Sequence, residues 1–202
     1  MSVGSTARRR PAATCVALLT GLLMVVSAPL ALAGEASDPQ GDTINDETDQ
    51  PMDVAEADIL KSWISAQPNG ILLGVQVRKP TDPAAHPAWV DGDSSAEWDL
   101  DTTGDSKPDF TVVLSNDDGK MVGAVQRFDA AEDEEGDAED LCAVSHQGYA
   151  PDKGYNVVVD PACVGSPKTV AYQAEFYYDT NPGDDNAPEA ADTSPDQGMS
   201  TS

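Results

Sequence analysis

Positive charge is what this sequence has least of. Only 11 Lys and Arg residues stand against 36 Asp and Glu, for a formal net charge of −25. A surface so negative repels nucleic acid and anionic membranes, so neither is expected as a partner. Histidine is nearly missing as well, being confined to His86 and His146. Gly-x-Ser-x-Gly, His-Glu-x-x-His and phosphate-cradling glycine loops do not occur, and no enzyme activity is expected. A hydrolase working through paired carboxylates would need two acids held in a cleft, and acids this abundant offer no means of choosing the pair. His146, near Cys142, reads as structural rather than as a base.

Long apolar runs are missing too, with one exception from Val16 to Leu32. It follows Arg8, Arg9 and Arg10 and ends in Ala31-Leu32-Ala33 before Gly34. A cationic start, an apolar middle and small residues at the end make a secretory signal peptide over residues 1–33, with cleavage after Ala33 and an extracellular destination. Gly21, Ser27 and Pro29 interrupt the run and no basic stop-transfer flank follows, so no membrane span is expected after cleavage. All 36 acidic residues lie beyond the leader and three of the 11 basic ones within it, which makes the processed chain more negative still. Cysteine is scarce. Cys15 leaves with the leader, and the remaining pair, Cys142 and Cys163, is expected to form a disulfide in an oxidising compartment.

What the chain does have is strand periodicity between turn signals. Ile71, Leu73, Val75 and Val77 alternate with Gly74, Gln76 and Arg78, after a Gln67-Pro68-Asn69-Gly70 hairpin turn. Ala96, Trp98 and Leu100 alternate with Glu97, Asp99 and Asp101, and further runs follow at Phe110–Leu114, Met121–Arg127, Cys142–Val144 and Tyr155–Val159. The strongest has Val170, Tyr172, Ala174, Phe176 and Tyr178 on one side. Seven to nine short strands predict an all-β, jelly-roll-like antiparallel sandwich, although periodicity does not distinguish it from a closed barrel. The expected organisation is a polar linker or edge segment over 34–52, the sandwich over 53–178 and a disordered acidic tail over 179–202. The acidic segment Asp129 to Asp140 reads as a mobile loop.

One loop carries a chemical pattern. In Asp99-Leu100-Asp101-Thr102-Thr103-Gly104-Asp105-Ser106-Lys107-Pro108-Asp109, oxygen-bearing residues recur at every second position around Gly104. Calcium takes six to eight oxygens, and Asp99, Asp101, Thr103, Asp105, the Lys107 carbonyl and Asp109 form a candidate shell for it. The competing reading is a turn whose aspartates cap backbone N–H groups.

The order Asp38, Gly41-Asp42, Asp58-Ile59, a Pro-Asn-Gly hairpin and then Trp98 through Phe110 resembles secreted actinobacterial β-sandwich modules of the DOMON-like and family 9 carbohydrate-binding-module-like kind. Asp160-Pro161-Ala162-Cys163 and Asp185-Asn186-Ala187-Pro188 are similar to their second half. The resemblance spans about Asp38 to Pro188 and implies the fold and a calcium site, without a particular ligand. Thr103 departs from the fuller aspartate run of such modules. The expected function is a non-catalytic extracellular binding or accessory module with a calcium-stabilised loop. Its partner would be a glycan stacked on Trp63, Trp98, Tyr172, Tyr177 or Tyr178, or a protein. The alternative is a protein-interaction or protease-associated module presented by the acidic loop.

Overall fold

The computed structural model describes residues 32–128, 140–184 and 187–201. The leader expected over 1–33, apart from its last two residues, and nearly all of the acidic segment 129–140 lie outside the described residues. In chain order the strands are β1 (Ala33–Ser37), β2 (Ile44–Asn45), β3 (Ile59–Gln67), β4 (Gly70–Val77), β5 (Ser95–Asp101), β6 (Phe110–Asp117) and β7 (Lys120–Arg127). They continue with β8 (Asp140–Ala143), β9 (His146–Ala150), β10 (Gly154–Val159), β11 (Ala171–Asp179), β12 (Glu189–Ser194) and β13 (Ser200–Thr201). One short helix, α1 (Pro87–Val90), lies between β4 and β5. Among the described residues no helix is long and apolar enough to cross a membrane.

Two antiparallel sheets face each other. The five-stranded sheet runs β1-β3-β4-β10-β9; the eight-stranded one runs β2-β12-β11-β5-β6-β7-β8, with β13 also on β11. The period-2 pattern explains the layering, because alternate side chains of each strand point to opposite faces. Ile64, Ile71, Leu73, Val75, Tyr155 and Val157 from one sheet meet Trp98, Leu100, Val112, Leu114, Tyr172 and Phe176 from the other, all essentially without exposure. The hairpin turn joins β3 to β4. Gly70 holds φ +152 there, and a Cβ at that position would run into the Val159 backbone.

The all-β sandwich is as the sequence predicts, with 13 strands among the described residues instead of seven to nine, and 34–52 contains an edge strand as one of its two readings expects, but the C-terminal boundary needs correction. Both flanks of the expected 53–178 sandwich join the sheets. β1 is an edge of the five-stranded sheet, in register Glu35↔Trp63. The expected disordered tail over 179–202 instead supplies β12, which pairs with β11 from Ala174↔Ser194 to Asp179↔Glu189, and β13. The reason is that β12 docks by small and polar groups rather than by large apolar ones. Ala190 is fully buried, and Ser194 Oγ meets Ser62 Oγ across the sandwich at 3.0 Å. The stretch 80–94, which reads only as turns, contains α1. That short helix carries Trp89 into the core against Tyr155 and Phe176, and its indole N–H donates to Thr81 Oγ1 at 3.0 Å.

Cys142 and Cys163 form a disulfide with Cα atoms 6.1 Å apart. It ties β8, the margin of the larger sheet, to the 3₁₀ turn Pro161–Val164 that follows β10 of the smaller one.

Candidate metal centre

The loop between β5 and β6 uses its carboxylates on its own backbone. Asp101, 3% exposed, accepts N–H bonds from Gly104 at 2.6 Å, Ser106 at 2.8 Å and Thr103 at 3.0 Å. Burial pushes the Asp101 carboxyl up, yet these donors outweigh it and hold it below the usual range. Asp109 Oδ2 accepts from Thr102 N and Oγ1, each at 2.8 Å, and from Thr103 N at 3.1 Å. Asp105 accepts from Lys107 N at 3.0 Å. Asp99 lies on β5 opposite Thr111, whose hydroxyl it accepts at 2.7 Å. The structure thus gives Asp99, Asp101, Thr103, Asp105, Lys107 and Asp109 the geometry of a capped turn, with Gly104 and Ser106 at positive φ.

The carboxylates that do converge lie elsewhere. Among the described residues, two groups bring ligand atoms within 4.8 Å of one another: Asp38, Asp42 and Asp196, and Asp42, Asp58 and Asp192. Topology assembles them. Asp38 immediately follows β1, where its N–H donates to Leu60 O at 3.1 Å, and Asp42 precedes β2 after a turn at Gly41, φ +89. Asp58 immediately precedes β3, in the same sheet as β1, Asp192 lies on β12 of the larger sheet, and Asp196 is on the surface just beyond it.

These acids are short of donors. Asp58 is fully buried; its Oδ2 faces the Arg78 guanidinium at 3.1 Å, whereas its Oδ1 has no hydrogen-bond partner. Both Asp38 oxygens and Asp42 Oδ1 are likewise shielded from solvent without a donor. Asp192, 6% exposed, has a donor on each oxygen, Ile59 N at 2.6 Å and Thr193 N at 2.9 Å. Burial, with Asp192, Asp196 and Asp42 nearby, pushes the Asp38 carboxyl up to about 8. Burial also pushes Asp192 up to about 7, against the pull of its two N–H donors and with the push of Asp42 and Asp58. Asp42 is raised mainly by burial.

Asp38 and Asp196 offer oxygens within 4.8 Å of each other. Two carboxylates so close repel when both are ionised, and a shared proton or a cation between them relieves it, because both only accept. An all-carboxylate set without His or Cys suits a hard ion such as calcium or magnesium and is a poor match for zinc or copper. The irregular placement, from three separate stretches of chain, favours calcium, which tolerates variable geometry where magnesium demands a near-ideal octahedron.

Sequence reasoning used Asp38, Asp42 and Asp58 only as landmarks and set Asp192 and Asp196 aside with the tail. The available signal was Asp38-Pro39-Gln40-Gly41-Asp42, a turn with an acid at each end.

The aromatic candidates separate by burial. Trp98 and Tyr172 have no exposure and Tyr178 has 8%, so they belong to the core; Trp63 and Tyr177 are half-buried. Trp63 lies on the outer face of the smaller sheet against Gly74, its cross-strand neighbour, where a Cβ would overlap the indole. His86 caps α1 by accepting from Ala88 N at 3.3 Å, and His146 is exposed on β9.

No known family matches this chain, and neither does any curated protein or solved structure.

Proposed function

We propose that this protein is a secreted, non-catalytic binding or accessory module whose sandwich is stabilised by calcium at Asp38, Asp42, Asp58, Asp192 and Asp196. The observation that carries the reading is the fully buried Asp58, which pairs with Arg78 through Oδ2 while its Oδ1 has no donor, in a group whose oxygens converge with those of Asp42 and Asp192. Leaving a buried carboxylate oxygen without a donor costs about 1–3 kcal/mol, and a bound cation removes that cost. The extracellular setting supports the choice of metal, since extracellular modules bind calcium at about 10⁻⁴–10⁻³ M. The leader over 1–33 and the disulfide support that setting in turn. Cleavage after Ala33 would remove the first residue of β1 and leave the strand to begin at Gly34, the new terminus.

The ligand face we assign is the outer side of the five-stranded sheet. In so acidic a chain, this face carries Glu35 offset by Lys61 at 3.9 Å, beside Trp63, Gln76 and Asn156. A half-buried indole flanked by side-chain amides suits an uncharged glycan, which stacks its apolar face on the ring. The resemblance to carbohydrate-binding modules points the same way.

Thermal unfolding of the purified protein tests the calcium reading. Its melting temperature should rise with millimolar calcium, return with chelator and respond less to magnesium. Identical melting in calcium and in chelator would sink it.

A further inference from the structure

We infer that the acidic centre takes two calcium ions, bridged by the Asp42 carboxylate; the inference rests on the calcium reading of this centre. An ion with calcium–oxygen bonds of about 2.4 Å reaches only oxygens lying within about 4.8 Å of one another. Asp42, Asp58 and Asp192 satisfy that limit as one group, and Asp38, Asp42 and Asp196 satisfy it as another. The five carboxylates form two such groups rather than one, and Asp42 belongs to both.

Each group shows the marks of a cation position. In the inner one, Asp58 is fully buried with Oδ1 lacking a donor, and Asp192 keeps lone pairs beyond its two N–H bonds. In the outer one, both oxygens of Asp38 are shielded and without donors, while Asp196 closes the group from the surface. Charge agrees with the geometry. With all five carboxylates ionised, as ligation of a cation requires, one guanidinium that Asp53 also shares at 2.5 Å leaves at least four negative charges. One divalent ion cancels about half of that, and two cancel it.

The ions have different mechanical roles. The inner one joins β3 of the smaller sheet to β12 of the larger. The outer one fastens the crossing between β1 and β2 to the turn after β12.

Native mass spectrometry and calorimetric titration with calcium test the proposal on the full processed chain. Two ions per chain are expected for the wild type. Asp196→Ala, a change at an exposed residue that spares the core, should retain one ion, and Asp42→Ala should weaken both. Anomalous diffraction from calcium-grown crystals should give two peaks flanking Asp42. A single ion in the wild type, or two ions retained by Asp196→Ala, would overturn the two-ion centre and leave the calcium reading standing. No bound calcium at millimolar concentration would overturn both.

Discussion

Asp192, on a strand of the larger sheet, accepts a 2.6 Å hydrogen bond from the backbone N–H of Ile59, at the start of a strand in the smaller one. The carboxylate therefore serves two partners at once. It satisfies a buried donor that the sheet ladder does not reach, and it presents its remaining lone pairs to Asp42 and Asp58. Removing it should disturb both the seam between the sheets and the cation centre.

Asp192→Asn and Asp101→Asn should separate the two acidic regions. Asp101→Asn leaves several loop N–H groups poorly satisfied and should cost about 1–3 kcal/mol, equally with and without calcium. Asp192→Asn should abolish most of the calcium-dependent gain, which is about 2.7 kcal/mol when calcium is at 100 times its dissociation constant. Melting curves of both variants in calcium and in chelator decide it. If Asp101→Asn instead loses the calcium response, the ion belongs to the β5–β6 loop.

Glu189 should make stability fall as pH rises. Burial, reinforced by Asp46, Asp93, Asp179 and Glu97, raises its carboxyl from 4.5 to about 7. The folded state then holds its proton more tightly than the unfolded chain does. By linkage this group disfavours folding progressively from about pH 4.5 to 7, with the full penalty present above that. Glu189→Gln should therefore stabilise the protein at pH 8 by on the order of 1 kcal/mol, after allowance for solvent screening, and do nothing at pH 4. Urea midpoints at the two pH values measure the difference; an equal effect at both would refute the assignment.

Reduction of Cys142–Cys163 should lower stability by about 3 kcal/mol, as expected from releasing a closed loop with a sequence separation of 21. The calcium increment should survive it. Alkylation of the unreduced, unfolded protein should label neither residue.

Trp63→Ala should remove retention on insoluble neutral polysaccharide while costing the fold no more than about 1 kcal/mol, since the indole is half-buried and packs on Gly74 from outside. Retention unchanged in the variant would place the ligand elsewhere. Tyr172→Ala is the contrasting control, because that ring is fully buried and its loss should unfold the domain.

Much of the sandwich was legible because its strands bury one face of large side chains. Tyr172, Ala174, Phe176 and Tyr178 announce β11 by alternation alone, and the Asn69-Gly70 turn announces the β3–β4 hairpin. Strand β12 was not legible. Ala190, Ala191, Asp192 and Ser194 are buried or nearly so, yet such residues resemble a solvated tail until Ser62 and Ile59 are known to lie opposite. Helix α1 is too short to show a helical period. The acidic centre was hidden for a related reason, since Asp38 and Asp192 are brought together only by the sheet order. In the β5–β6 loop the alternating aspartates fit both an ion shell and a capped turn, and the structure shows its N–H groups bonded to those oxygens.

The disulfide and the acidic centre lie towards opposite margins of the sandwich, one between β8 and the turn after β10 and the other beside β1, β2 and β12. With calcium bound in the acidic centre as proposed, the two layers are fastened along both long edges and cannot swing open about either one. A reductant or a chelator alone then leaves one edge as a hinge about which the layers can open, and only both together free the layers completely.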